Sequence, residues 1–387
     1  MKNIEDNVGQ IAWDNKKLID ISTIIMGQSP SSENYNNEMI GMPLIQGNAD
    51  IEERKTKPRT FTSQITKTCD INDILITVRA PVGSVSKSLH NAVIGRGVAA
   101  IKANINNEFL YQYLISIENT WERISQGSTF TAINSDDLKK LKVPVPSEKE
   151  QDKIAEILST WDDAISTINK NIEFETRRKK AIVSKVYRGN LSDDPNNSSH
   201  FQRLKKYLVE VKKKNGTGDL SVLSVSNSKG FILQEEQFER VIASKDRSNY
   251  KVVEKDQFAY NPSRVNVGSI DLMVEYDKGI LSPMYVVFKC LKGLESRYLY
   301  HFLKSDLFLQ MIPKYTQGSV RDSLAFSGLT SMKMYIPLVQ EQNSYINLLD
   351  SIDRKISLLN NEVEFLKKQK QGLMQQLLTG KIRVKVS

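Results

Sequence analysis

Two cysteines and three histidines are all that 387 residues contain of these types. Cys69 and Cys290 cannot build a disulfide framework or a Cys-rich zinc site. His90, His200 and His301 stand far apart with no His-x-x-x-His pair, so no metal site is expected. No stretch approaches the roughly 20 apolar residues of a membrane helix. Residues 1–17 are polar and lack the apolar run of a signal peptide; the expectation is a cytoplasmic chain without membrane contact. A G-x-x-x-x-G-K-[ST] loop is missing, as is a G-x-G-x-x-G after a strand. Gly95-Arg96-Gly97 is too short for a dinucleotide fingerprint and reads as a turn. What is present is ordinary for a globular protein: 40% apolar and 26% charged residues, which argues against disorder. The length exceeds one usual core, so two or more units are expected. Against 45 acidic residues stand 54 basic ones, a net charge of +9. That excess is modest, and charge alone leaves a polyanion partner an open question.

Self-similarity organises the chain. Gln126-Gly127-Ser128 returns as Gln317-Gly318-Ser319, an offset of 191. The same offset carries Leu138 to Leu329, Pro146 to Pro337, Glu150-Gln151 to Glu341-Gln342 and Asp162 to Asp353. It continues through Glu173-Phe174 to Glu364-Phe365, Lys179 to Lys370 and Gly189 to Gly380. Upstream the register slips: Phe109-Leu110-Tyr111 answers Tyr298-Leu299-Tyr300, and Arg79-Ala80-Pro81-Val82-Gly83-Ser84 answers Arg264-Val265-Asn266-Val267-Gly268-Ser269. The protein is two copies of one unit, each a diverged globular part followed by a well-matched tail.

Both tails are predicted to be long helices. Leu158, Trp161, Ile165, Ile168 and Ile172 follow the three-and-four spacing of a heptad seam, as do Leu349, Ile352, Ile356, Leu359 and Val363. Lys179 and Lys370 interrupt both seams at one register, and Glu175 interrupts only the first. Each helix ends near a glycine suited to a left-handed cap, Gly189 or Gly380. About 40 residues make a rod of roughly 60 Å. The first rod leaves globule one and ends at globule two, and by equivalence the second returns. Antiparallel packing is expected, with acids early in each rod beside bases late in the other.

The globules read as mixed α and β, with strands at 74–78, 92–94, 98–101, 220–225, 252–253 and 285–288, and helices at 109–117 and 298–309. Asp136-Asp137 reads as a helix start rather than an acid/base pair. Asn261-Pro262-Ser263-Arg264 is similar to the Asn-Pro-Pro-aromatic motif of adenine methyltransferases, but it lacks the second proline and the stacking aromatic. No catalytic residue is expected. The globules carry instead side chains suited to reading DNA, where Arg meets guanine, Asn or Gln meets adenine and Lys meets phosphate. In the first globule these are Gln28, Ser29, Ser31, Gln46, Asn48, Lys57, Arg59, Arg79 and Arg96. In the second they are Ser226, Asn227, Lys229, Arg247, Asn249, Tyr260, Asn261 and Arg264. Surface solubility is the alternative for each, and a shared salt bridge is the alternative for the repeated Arg79 and Arg264.

Variable globule, helix, second variable globule and matching helix resemble the specificity subunit of type I restriction–modification enzymes. The resemblance rests on Gly27-Gln28-Ser29-Pro30-Ser31, Asp73-Ile74-Leu75-Ile76-Thr77-Val78-Arg79, the segment 260–269, and the Pro-x-x-x-Glu-Gln lead-in to each helix (Pro146 to Gln151, Pro337 to Gln342). It implies an α+β fold of two pseudo-twofold related α/β target-recognition domains joined by two long antiparallel coiled-coil helices. The corresponding boundaries are 1–147 and 201–340 for the domains, 148–190 and 341–380 for the helices, 191–200 for a linker and 381–387 for a tail. It also implies a non-catalytic subunit that reads a bipartite, asymmetric site on double-stranded DNA. The partners would be two methyltransferase subunits carrying S-adenosylmethionine and restriction (helicase-nuclease) subunits carrying ATP and Mg, with no cofactor on this chain. The rival reading is a protein-interaction scaffold whose globules bind proteins rather than bases.

Overall fold

The structure, a computed structural model, describes residues 13–125, 132–191, 200–227, 229–237, 246–316 and 323–386. The Gln-Gly-Ser repeats at 126–128 and 317–319, and most of the expected linker, lie outside the described residues. Contacts divide the chain into two units, Met1–Ile168 with Glu362–Ser387 and Asn169–Asn361. Each unit thus takes half of each long helix.

In the first unit a six-stranded sheet runs in the order Ser22–Met26, Val98–Ala103, Ile74–Thr77, Val85–Lys87, Lys55–Thr56, Ile51–Glu52. All its pairings are antiparallel except that of Val85–Lys87 with Lys55–Thr56. Alternating side chains on a strand point to opposite faces. Ile74, Ile76, Ala99 and Ile101 therefore join one core with Leu110, Leu114, Trp121 and Leu138. Leu75, Val98 and Ala100 join another with Ile45, Cys69, Ala92 and Ile94. Coverage on both faces explains why Ile-Leu-Ile-Thr is buried at every position. A second sheet of five strands, Tyr35–Asn36, Thr60–Thr62, Met42–Ile45, Ala92–Ile94 and Thr68–Cys69, supplies that second core.

The other unit repeats the logic with fewer strands. Leu208–Glu210, Val286–Cys290, Phe258–Tyr260 and Ile270–Leu272 form its central antiparallel sheet. Phe258, Tyr260 and Phe288 face one core, while Ala259 and Val287 face Leu223, Val225, Phe231 and Val253 in another. Phe258 stacks on Phe288 with ring centroids 5.0 Å apart, an arrangement that adds about 0.5–1.5 kcal/mol beyond area burial. The helix expected over 298–309 is two, Ser296–Leu303 and Asp306–Tyr315. The break lies at Ser305, whose hydroxyl accepts from Phe308 N at 3.3 Å and starts the second helix. Asp136-Asp137 indeed opens a short helix, where Asn134 and Asp137 form a reciprocal capping box.

The tails are continuous helices, Glu148–Tyr187 and Val339–Leu377. Within the first unit, Ile154, Ala155 and Leu158 pack with Met374, Leu377 and Leu378. Within the second, Val183, Val186 and Tyr187 share a core with Leu349. Early residues of one helix meet late residues of the other in both cases, so the pairing is antiparallel. Gly189 and Gly380 take the left-handed conformation that ends each helix, at φ 69° and 71°. The duplicated lead-in has a physical cause. Gln151 Nε2 donates to Pro146 O at 2.9 Å while its Oε1 accepts from Asn106 N. Gln342 does the same with Pro337 O, at 2.8 Å, and Glu295 N. Each buried glutamine ties its long helix to the start of a globule helix.

Candidate nucleic-acid interface

Four segments of the first unit converge on a cleft of about 540 Å³ lined by Ser29, Pro30, Ser32, Tyr35, Gln46, Gly47, Asn48, Arg79, Ala80, Arg96 and Gly97. Glycine makes the convergence possible. A Cβ on Gly27 would lie 2.2 Å from Gly95 O, and one on Gly97 would lie 2.2 Å from Gln46 O. Backbone hydrogen bonds then lock the segments: Gly27 N to Val98 O, Gln28 N to Ile94 O, Gly95 N to Ile45 O and Val78 N to Gly97 O, all 2.8–3.0 Å. Ser29 Oγ accepts from Arg96 N at 3.2 Å. The Gly-x-Gly turn at 95–97 is thus a wall of the cleft.

Five predicted residues, Ser29, Gln46, Asn48, Arg79 and Arg96, line this one cleft. Among the described residues, the side chains of Gln46, Asn48, Arg79 and Arg96 have no hydrogen-bond or ion-pair partner, and all four are exposed. Neighbouring cations differ. Lys57 pairs with Glu52, and Arg59 Nε reaches Asp50 Oδ1 at 3.4 Å. Lys102 pairs with Asp70, and Arg54 forks onto Glu118. Uncompensated positive charge therefore sits in the cleft and neutralised charge beside it. Gln28 and Ser31 are exposed at its margin, Ser31 N donating to Gln64 Oε1 at 2.8 Å. Ser32 and Tyr35, which continue the Gly27–Ser31 segment, also line the cleft. Tyr35 is oriented by its hydroxyl, which donates to Pro30 O at 3.0 Å.

In the second unit Arg264 begins a turn equivalent to that after Arg79. Gly83 and Gly268 both have positive φ, 85° and 96°. Thr77 N donates to Ser84 O at 2.9 Å, and Asn261 N donates to Ser269 O at 3.0 Å. Arg264 is exposed and, like Arg79, forms no ion pair among the described residues. Asn261 Oδ1 accepts from Ser263 N at 3.1 Å and shapes this turn. Gly268 lies against Asn227, which brings the Ser226–Gly230 turn and Lys229 beside the Arg264 loop. Arg247 and Asn249 belong to a separate turn: Tyr250 N donates to Arg247 O, and Asn249 Oδ1 accepts from Lys214 Nζ at 3.0 Å. Tyr260 is a correction. It is fully buried, its hydroxyl donates to Leu324 O at 3.0 Å, and burial pushes its pKa well up. It is a core residue of the strand that presents Asn261, and no base can reach it.

The helix seam is graded. Leu158, Leu349, Ile352 and Val363 are buried, while Trp161, Ile165, Ile168, Ile172, Ile356 and Leu359 are half-buried. The seam-breaking lysines find the duplicated aspartates. Within the first unit Lys370 Nζ lies 2.6 and 2.7 Å from the two oxygens of Asp162. Within the second, Lys179 Nζ lies 2.5 Å from Asp353 Oδ1. Gln112 Nε2 also donates to Asp162, at 2.7 Å. Its counterpart His301 is 2.9 Å from Asp350 Oδ1 and 3.8 Å from Asp353 Oδ2. Burial, with Lys179 nearby, lowers the His301 pKa to about 4. His301, Asp350 and Asp353 could in principle hold a metal ion. Arg297, 2.9 Å from Asp350, and Lys179 already neutralise both carboxylates, so the group is an ion-pair cluster. Glu175 is the third seam breaker. Lys355 at 2.6 Å and Arg178 hold its carboxyl below the usual range.

Comparison with known proteins agrees with this architecture. Residues 10–176 match the type I restriction modification DNA specificity domain. A putative type I restriction enzyme MjaX specificity subunit of Methanocaldococcus jannaschii is 40% identical over 171 residues, a match spanning 43% of this chain and 40% of that protein. The MjaIX specificity subunit of the same organism is 25% identical over 98% of this chain and 96% of its own length. The S subunit of a type I restriction–modification system from M. genitalium shares the fold with a TM-score of 0.59 at 16% identity, covering 100% of this chain and 99% of that one. The matched domain lies in the first half of the chain, and over nearly its whole length the chain is similar to type I restriction enzyme specificity subunits.

Proposed function

We propose that the chain is the DNA-reading subunit of a type I restriction–modification complex. It reads a bipartite, asymmetric site and directs adenine methylation and DNA cleavage carried out by partner subunits. The observation that carries this reading is the first unit's cleft, where Gln46, Asn48, Arg79 and Arg96 converge with no side-chain partner among the described residues. Amide side chains there suit the N6 and N7 edge of adenine, and guanidinium groups suit guanine O6 and N7 or phosphate. The Arg264 turn with Asn227 and Asn261 offers the same chemistry in the second unit. Diverged globules then read unlike half-sites. Two methyltransferase subunits, carrying S-adenosylmethionine, and restriction subunits, carrying ATP and Mg, supply the chemistry in the cytoplasm; the chain itself supplies site choice.

The test is selection from a random duplex pool by the full-length chain, followed by sequencing. The wild type should enrich a two-part motif. Arg79→Ala and Arg96→Ala should each weaken binding about tenfold, whereas Lys57→Ala, whose charge is already paired, should change it less than twofold. Affinity should fall with salt, the slope losing about 0.9 for each phosphate contact removed. Enrichment of no motif, with a flat salt response, would favour the protein-scaffold reading instead.

A further inference from the structure

One buried acid backs the turn that lines the cleft, where a DNA-facing surface would not be expected to keep it. Asp50 is 5% exposed and sits behind the Gln46-Gly47-Asn48 turn. Its Oδ2 accepts from Gln46 N at 2.8 Å, and its Oδ1 accepts from Arg59 Nε at 3.4 Å. Its own N–H donates to Gly47 O at 3.0 Å, and its carbonyl accepts from Lys57 N at 2.7 Å. On the opposite side the turn is confined by glycine, since any Cβ on Gly97 would collide with Gln46 O. The turn is therefore clamped between a buried carboxylate and a glycine wall, while the side chains of Gln46 and Asn48 have no partner among the described residues in the cleft.

We infer that Asp50 is a positioning residue for base reading by the first unit. It holds the Gln46 and Asn48 amides in the orientation that bidentate pairing with one base edge requires. Its chemistry suits this role. An ionised carboxylate only accepts, so one group can bind the Gln46 N–H and the Arg59 guanidinium together. Arg59 offsets its charge and limits its repulsion of phosphate. An asparagine could still accept from Gln46 N, but its amide N–H would face a second donor, Arg59, and the turn would lose one anchor. Asp50 touches no base in this scheme, and its effect passes through the turn.

This inference rests on the DNA-reading function proposed above, and the experiment separates the two. Full-length wild type, Asp50→Asn, Gln46→Ala and Arg264→Ala are each used to select from the same random duplex pool. If the wild type enriches no motif, the DNA-reading function itself fails. If it does, Gln46→Ala identifies the half-site read by the first unit and Arg264→Ala the other. Asp50→Asn should then lower discrimination about tenfold at the first unit's half-site, with the other half-site unchanged and thermal unfolding close to wild type. A variant that keeps full discrimination at that half-site overturns the inference. So does one that loses discrimination equally at both, or whose loss at that half-site comes with a clearly lowered unfolding midpoint, because the effect is then structural and does not pass through the turn.

Discussion

Exposure of the two partners decides what happens when the Lys370–Asp162 bond is broken. Lys370 has 10% of its side chain exposed, Asp162 has 45%. Replacing Lys370 with Met leaves a carboxylate that can take water and keeps its Gln112 bond, while the new side chain fills an apolar seam. That change should cost no more than about 1 kcal/mol. Replacing Asp162 with Ala strands a buried ammonium whose two hydrogen bonds among the described residues both go to that residue. Removing one partner of a buried pair costs about 3–5 kcal/mol; partial hydration at this site reduces the expectation to about 3. For a unit of this size each kcal/mol moves the midpoint by about 2–4 °C. Asp162→Ala should therefore lower it by about 6–12 °C and Lys370→Met by 4 °C at most. Tryptophan fluorescence is the suitable assay, because Trp13, Trp121 and Trp161 all belong to the first unit and report it without the other. The double variant should be more stable than Asp162→Ala alone, since the stranded charge is gone. If Lys370→Met proves as damaging as Asp162→Ala, charge burial is not what makes this contact matter.

Two further outcomes follow from side chains that differ between the copies. The folded-state pKa of His301 is near 4, against an ordinary 6.5. The unfolded chain thus binds the extra proton first, and stability falls as pH drops from about 6.5 to 4, by at most about 1.4 kcal/mol per unit. His301→Gln, which copies Gln112, should flatten that slope in urea titrations of the second unit; an unchanged slope would show that other groups set it. Gly83→Ala would place a Cβ 2.5 Å from Trp121 at φ 85°, whereas the nearest atom to a Cβ on Gly268 is Asn227 O at 3.4 Å. The first change should cost about 2–3 kcal/mol and the second about 1, measured as midpoint shifts; equal losses would mean that backbone strain alone governs both turns.

What the sequence revealed depended on whether the signal was local. Heptad spacing is local, so the seam residues and the antiparallel pairing were legible, and the offset of 191 already contained both partners of the Lys–Asp bonds. The cleft was legible only in part. Its polar residues were identified, but no pattern joins positions 27, 46 and 97; only the close approach of their backbones does, and glycine is the trace it leaves. Asp50 was hidden because a buried carboxylate between short strands has no periodic signature. Tyr260 was misread because its polar neighbours, Asn261 to Arg264, suggested a surface loop. Phe258 two positions earlier was the corrective signal, since residues two apart share a strand face.

The duplicated ion pairs also restrict how the helices can pair at all. Each copy carries the same aspartate and the same lysine, Asp162 with Lys179 and Asp353 with Lys370. Antiparallel pairing joins unlike charges twice. A parallel pairing in register would set Lys179 beside Lys370 and Asp162 beside Asp353, burying like charges at both levels. Half-exposed pairs of this kind contribute little to net stability. Their larger effect is on the alternative, which they penalise at two places at once. The third pair breaks the equivalence. Glu175 and Lys355 correspond to Leu366 and Ala164 in the opposite copies, so only the second unit holds that bond. Two symmetric pairs fix the direction of the helices, and one unsymmetric pair distinguishes the first helix from the second.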